Sequence, residues 1–523
     1  MKKKYFLLFL LMSALNANIK NISYDWAGQN GIVIYNGSLL WNRSWYSGLL
    51  FFDGNYSSYP IRYGEHTSKR IKLNSGSNMP NFTHLPDSSH IISYFDHSRG
   101  DYNYSKLDLG LNYQEPNKFW KIEGFKRDFY GNTGHYINQE SLGSPIHQSF
   151  RIDHGQKIDH RQFEFSIGRY ITNSGLPDND MIGKEKDHLL TSAFKYKGNY
   201  KNYNTELYFS QFFQNRRINH SSYSDSSLHK INRSKMKLKI YKNEYEGLGI
   251  DKNYFQFSGN KIGGPIHWFN VYLYKDFGSL VVFGGYQLSD LFNSPFWNIK
   301  YNYKKNDLFF NIESMNSLEP VHFGLLNKEN RELFLNWNVN RSSLGIEKKK
   351  IKLSISALYS NLNKKINKTP IQLLLFDLQL LANKNILLYG NLISQIDTSH
   401  YSLGGGDIVN FGIKSNAMLF KDKMKINIHF YANSTSGIAS NYAFNSLYNS
   451  PFLNTNKDWS IKDFWLLNFE GSAKISEVLL YYKINNIMNA IDTDNEDYLI
   501  NVNYTYPKLG RMIQFGVRWY FHN

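Results

Sequence analysis

The chain has 523 residues, no cysteine, and 60 Lys and Arg against 43 Asp and Glu, for a formal net charge of +17. The missing cysteines exclude disulfide staples, thiol chemistry and cysteine-bound metal, and the excess of basic residues forms no clustered motif of the kind that reads nucleic acid. Aromatic residues make up 16% of the chain while the mean hydropathy is only −0.49. That combination fits a sheet with one apolar and one wet face, and the charge suits anionic solutes or lipopolysaccharide phosphates.

Residues 1–17, MKKKYFLLFLLMSALNA, open with Lys2–Lys4, continue through an apolar run from Tyr5 to Met12, and close on small residues with cleavage expected after Ala17. The run is too short to span a bilayer as a helix and reads as a secretory signal peptide. No later stretch approaches the roughly 18 consecutive apolar residues of a membrane helix. Residues 18–90 are irregular, with Asn30-Gly31, Asn36-Gly37 and a polar run from His66 to Asn81. They are read either as first strands (Leu39–Phe52 is one candidate) or as a lumenal extension.

From residue 91 to 523, strand-length segments alternate between apolar and polar positions. Leu107, Leu109, Leu111 and Tyr113 alternate with Lys106, Asp108, Gly110 and Asn112; Phe163, Phe165 and Ile167 with Glu164, Ser166 and Gly168. Met236, Leu238 and Ile240 alternate with Lys237 and Lys239; Ile351, Leu353 and Ile355 with Lys350, Lys352 and Ser354; Met424, Ile426, Ile428 and Phe430 with Lys425, Asn427 and His429. Successive side chains of a strand point to opposite faces. Lysine at mid-strand is costly in a packed core and ordinary in a wet lumen. The fold class is therefore all-β: a single closed antiparallel transmembrane barrel of about 22 strands, within 18–24. Asn383–Asn385, Lys421–Lys423 and Ser476-Glu477 read as tight turns. Ile171–Asp187, Asn215–Ser234, His400–Asp407 and Asn433–Asp463 read as longer links. Counted back from a periplasmic C-terminus, Asn433–Asp463 falls on the periplasmic side.

At the end of the chain Ile513, Phe515, Val517, Trp519 and Phe521 alternate with Met512, Gln514, Gly516, Arg518 and Tyr520. The first set is expected to face the membrane. A preceding strand is expected at Tyr498–Thr505, joined to it by a turn at Pro507–Gly510. Trp268, Trp297, Trp519 and Phe521 are candidates for the aromatic girdles.

Asn486-Ile487-Met488-Asn489, after the Val478–Ile484 strand, is similar to the Asn-Leu-Phe-Asp/Asn element of TonB-dependent receptor barrels. Tyr506-Pro507-Lys508-Leu509-Gly510-Arg511 resembles their Tyr-Pro-x-Pro-Gly-Arg turn, and Trp465–Ala473 resembles the strand before that pair. Leu509 replaces the second proline, and His522-Asn523 follow the usual terminal aromatic, here Phe521. The resemblance implies an outer-membrane barrel in a Gram-negative-type (diderm) bacterium. It also implies an N-terminal plug and an energising box, neither recognisable in residues 18–100.

Lys237, Lys239, Lys350, Lys352, Lys425 and Arg518 are the lumen-facing candidates, placed to bias a pore toward anions or to pair with lumenal Asp and Glu. His66, His84, His90, His97, His135, His147, His154 and His160, half of the 16 histidines, fall within residues 66–160 but show no i,i+2 pair with a carboxylate, so no metal site is assigned. No HExxH, GxSxG or GxxxxGK occurs, and neither catalytic residues nor a cofactor are expected. The reading is an outer-membrane barrel for solute uptake or diffusion. The alternatives are a surface or scaffold barrel that engages a protein partner through its loops and, third, an outer-membrane enzyme. The expected partners are outer-membrane lipid and lipopolysaccharide, the barrel-assembly machinery, an unidentified small solute, and a periplasmic or surface protein; nucleic acid is not among them.

Overall fold

The computed structural model describes residues 32–35 and 38–41. From residue 87 onward it describes all but 129–145, 177–182, 201, 221–226, 244, 259–264, 321–333, 363–370, 397–406, 437–441, 446–449, 454–462 and 500–509. The signal peptide, most of the 18–90 segment and the Pro507–Leu509 turn lie outside the described residues. Twenty-two strands form one closed antiparallel barrel. In chain order these are β1 (His90–Gly100), β2 (Tyr104–Glu115), β3 (Lys118–Asp128), β4 (Ile146–Ile158), β5 (Arg161–Leu176), β6 (Gly183–Tyr200), β7 (Tyr203–His220) and β8 (Ser227–Asn243). There follow β9 (Glu246–Ser258), β10 (Ile266–Asp276), β11 (Leu280–Leu288), β12 (Asn293–Lys305), β13 (Leu308–Pro320), β14 (Phe334–Glu347) and β15 (Ile351–Leu362). The wall is completed by β16 (Ile371–Asn383), β17 (Ile386–Gln395), β18 (Asp407–Leu419), β19 (Met424–Ser436), β20 (Phe464–Ile475), β21 (Val478–Asn485) and β22 (Met512–His522). Each strand pairs with its neighbours in sequence, and β22 returns to pair with β1.

The two faces of this wall are inverted relative to a soluble sandwich. Ile167, Leu190, Phe209, Met236, Ile250, Phe515 and Trp519 are exposed, whereas Asp96, Asp108, Asp153, Ser166, Asp251, Asp377 and Asn391, of the opposite parity, are buried. An apolar exterior over a polar interior is stable only where hydrocarbon surrounds the sheet. The chain is an outer-membrane β-barrel that crosses the bilayer with strands. Among the described residues no helix is long and apolar enough to cross one.

Bulky rings on the inner face are accommodated by glycines directly opposite. Tyr272 lies across Gly249 and Phe119 across Gly155. A Cβ added at either glycine would come within 2.2 Å of the ring. Tyr94/Gly110 and Tyr481/Gly516 repeat the arrangement. Covering a bare glycine with a cross-strand ring protects that stretch of ladder and fixes register.

Two expectations are corrected at the C-terminus. The neighbours of β22 are β21 and β1, so both of its edges are occupied and Tyr498–Thr505 adds no wall strand there; residues 496–498 form a 3₁₀ turn and 500–509 lie outside the described residues. Removing that strand from the count reverses the parity, and the link from Asn433 to Asp463 falls at the end opposite the C-terminus. Thr435 pairs with Phe464 there, and a hairpin of Tyr442–Asn445 with Ser450–Leu453 sits within the link. All long connections now share one end, and the opposite end carries only short turns, as in outer-membrane barrels with short periplasmic turns. The links expected at Ile171–Asp187 and Asn215–Ser234 are mostly paired strand, with only 177–182 and 221–226 between the strands.

The Asn486–Asn489 element forms a compact knot between β21 and β22. Asn486 (φ 57) caps α1 (Ile487–Ile491), its side chain accepting from the Asn489 N–H. The Asn486 Nδ2 donates to the Tyr498 carbonyl at 2.7 Å, and Asn489 Oδ1 accepts from Arg511 N–H at 2.8 Å. Both asparagines are buried, so the motif anchors this connection to the barrel rim.

Candidate functional site

The chemistry of this barrel lies on its inner face. At the seam, Asp96 of β1 is wholly buried. Its carboxylate accepts from Arg518 Nε at 2.9 Å, from Arg518 Nη2, and from Tyr481 Oη at 2.7 Å, with Lys106 Nζ 3.7 Å away. Arg518 Nη1 also donates to Tyr520 Oη, and Tyr94 Oη donates to Asp108. Arg518 is thus a seam residue, committed to a carboxylate 422 residues away in sequence rather than a free lumenal cation.

A basic strip runs across β5–β10. In register, Tyr208 stands between Lys195 and Lys237, and Glu206 between Lys197 and Lys239. Lys237 and Lys239 next face Asp251 and Gly249 of β9, while Glu164 stands opposite Lys195. Five lysines (195, 197, 235, 237 and 239) therefore face Glu164, Glu206 and Asp251. Lys197 pairs with Glu206 at 3.9 Å and Lys235 with Asp251 at 3.8 Å. Lys237 and Lys239 instead lie over the rings of Tyr272 and Tyr274, at 5.6 and 5.3 Å, and make no ion pair among the described residues. A ring face holds a cation in place without cancelling its charge, so both lysines keep their long-range field.

A second polar patch occupies β17–β21. The Tyr389 hydroxyl and His429 Nε2 are 2.7 Å apart, and His429 Nδ1 lies 3.7 Å from Glu470. Tyr431 stacks on His429 and donates to Glu470, while Lys483 approaches Glu470 at 3.7 Å and Lys414 lies over Tyr389. Hydrogen bonds of Tyr389 to His429 and of Tyr431 to Glu470, with the imidazole at ion-pair distance from the carboxylate, hold the side chains in place and leave Glu470 and Lys483 partly exposed.

The remaining expected residues are dispersed. Lys352 lies 3.8 Å from Glu347, which also binds Lys304. Lys350 sits in the β14–β15 turn, and Lys425 is opposite Lys474 at the short-turn end. On β22, Phe515, Trp519 and Phe521 are exposed, and Ile513 and Val517 share their parity. Trp297 shares the exposed side of Ile299 and Tyr301, whereas Trp268 is 3% exposed and shares the inner face of Tyr272. Trp268 is therefore not a girdle residue, because its position on β10 has the inward parity. Of the histidines, His154 stacks on Trp120 at 4.0 Å and His90 lies 6.1 Å from His522; His66, His84 and His135 lie outside the described residues. Among the described residues no three His, Cys, Asp or Glu side chains gather as a metal site.

Sequence reasoning missed Asp96, Lys195, Lys197, Asp251, Tyr389 and Glu470 as members of sites. Their parity was readable, but which side chains they would meet depends on cross-strand register.

No family model matches the sequence, and no curated protein matches it. Solved structures do share its fold. The ferric enterobactin receptor PfeA of Pseudomonas aeruginosa (a mutant bound to enterobactin) superposes at TM-score 0.61 and 8% identity, covering 84% of this chain and 82% of that one. The FrpB iron transporter of Neisseria meningitidis (F3-3 variant) matches at TM-score 0.60 and 9% identity, over 84% and 82%. The copper transporter OprC matches at 0.59 and 10%, over 84% and 81%. At such identity the likeness is one of fold, and the fold is the TonB-dependent receptor barrel that the C-terminal motifs imply.

Proposed function

We propose that this barrel carries a small anionic solute across the outer membrane. The observation that carries the reading is the basic strip, in which Lys237 and Lys239 keep aromatic rather than carboxylate partners. Five lysines against three carboxylates leave the strip net positive, and a charged cleft with low-dielectric walls concentrates the opposite ion. The fold neighbours add support, since FrpB and OprC are described as transporters of iron and of copper.

The test is single-channel recording of the refolded protein in a planar bilayer. Stable openings with anion preference are expected, and Lys237→Glu/Lys239→Glu should shift the zero-current potential toward cation preference. Cation preference in the wild type, or unchanged selectivity in the double variant, refutes the reading. A folded, heat-modifiable barrel without openings refutes passive diffusion and points to gated uptake.

A further inference from the structure

The outer face carries a feature that transport does not use. Near the long-loop end of β5–β8 the apolar band gives way to basic residues, with Ile171 and Phe213 the only apolar residues interleaved among the described outward positions. Arg169 follows Ile167 on β5, His188 and Lys186 precede Leu190 on β6, Arg217 lies beyond Phe209 on β7, and Lys230 lies beyond Met236 on β8. All five share the parity of those exposed apolar residues, and the four Arg and Lys residues are exposed. Lys186 stands directly opposite Arg217. His188 stands opposite Asn215, which in turn stands opposite Lys230. Lys186, Arg169 and Arg217 all act electrostatically on His188.

Like charges directly opposite across a ladder repel, and the sequence offers no internal remedy. Above Ile167 the outward positions of these four strands hold no Asp or Glu. None of Arg169, Lys186, Arg217 and Lys230 makes an ion pair among the described residues. His188 Nε2 and Asn215 Oδ1 are buried and have no hydrogen-bond partner among the described residues. The counter-charge must come from outside the chain, at the height where a bilayer passes from hydrocarbon to headgroup.

We infer that Arg169, Lys186, His188, Arg217 and Lys230 form a binding site on the barrel exterior for the phosphate groups of an outer-leaflet glycolipid. Two features select a lipid over a free anion. The cluster faces outward, away from the solute path. Leu190 and Phe213, which face each other beside Arg169, and Ile167 next below on β5 give acyl chains an apolar floor adjoining the phosphate site. Arginine forks suit phosphate oxygens, and the Lys186–Arg217 pair supplies a bidentate donor beside a point charge.

The test is native mass spectrometry of the detergent-solubilised barrel with bis-phosphorylated lipid A, with the same lipid stripped of its phosphates, and with inorganic phosphate. Wild-type protein should retain the phosphorylated lipid preferentially. Lys186→Gln/Arg217→Gln/Lys230→Gln should retain it at least about tenfold less, since each basic residue near an anionic headgroup contributes substantially. Lys275→Gln, at the opposite end of the wall, should leave retention unchanged. Equal retention of the stripped lipid, or undiminished retention by the triple variant, overturns the inference. Displacement of the lipid by inorganic phosphate alone also overturns it, in favour of a free-anion site. If the triple variant loses its heat-modifiable fold, release of phosphorylated lipid from the wild type on raising NaCl decides: salt-insensitive retention overturns the inference.

Discussion

Replacing Asp96 by alanine would remove the acceptor that gathers Arg518, Tyr481 and Lys106 across the β21–β22–β1 seam. Removing one partner of a buried pair costs about 3–5 kcal/mol because the other charge is stranded. The Arg518 side chain keeps 34% of its exposure and can recover part of its hydration, which puts Asp96→Ala near the lower end, at about 3 kcal/mol. Asp96→Asn keeps the shape and two acceptor sites and should cost about 1–2 kcal/mol. The assay is urea unfolding in phospholipid vesicles, followed by loss of heat-modifiable migration. A double-mutant cycle of Asp96→Ala with Arg518→Ala should give a coupling above about 1 kcal/mol. Additive single variants, or an Asp96→Ala barrel with the wild-type midpoint, would show that the seam owes nothing to this carboxylate.

Gly155→Ala and Gly249→Ala should each lose about 1–3 kcal/mol in the same assay, because Phe119 and Tyr272 must leave their seats. Gly284→Ala, whose nearest contact would be 3.6 Å, should lie within about 0.5 kcal/mol of wild type; equal costs at all three would refute the ring-over-glycine argument. In vesicles of brominated lipid, single-tryptophan variants should show quenching of Trp297 and Trp519 and little of Trp268; strong quenching of Trp268 would place it on the wrong face. Val517→Arg, midway along β22, should cost about 2–4 kcal/mol of insertion free energy, while Gln514→Arg on the other parity should cost far less. Comparable refolding yields for the two would contradict the assignment of faces.

The alternation of β2, β5, β8, β15 and β19 was fully legible, because each has one lipid-exposed face and hydrocarbon tolerates no lapse in the pattern. Above the hydrocarbon both faces are wet. There the alternation vanishes while pairing continues, which is why the ends of β5–β8 read as loops. The expected pairing of β22 with the segment just before it failed for the opposite reason: Tyr498–Thr505 alternates in sequence like a strand, yet both edges of β22 are taken by β21 and β1, a fact of closure that no local pattern carries. Parity put Lys237 and Lys239 on one face from sequence alone. Their setting against Tyr272 and Tyr274 required the register of β8 on β9 and β10. Asp96 and Arg518 lie too far apart in the chain for any window to join them.

The seam has one more consequence, for assembly in time. Until Met512–His522 is in place, β1 and β21 are open edges, rows of unpaired N–H and C=O groups that invite pairing with other chains. Because the contacts that close the sheet span nearly the full length of the wall, the barrel has a high contact order and closes slowly. Loop-closure entropy, however, grows only with the logarithm of that span, so the delay is one of search rather than of final stability. A chain arrested before β22 would hold most of its ladders and still be a strand-addition template. The eleven residues of β22 therefore separate a finished barrel from an aggregation seed.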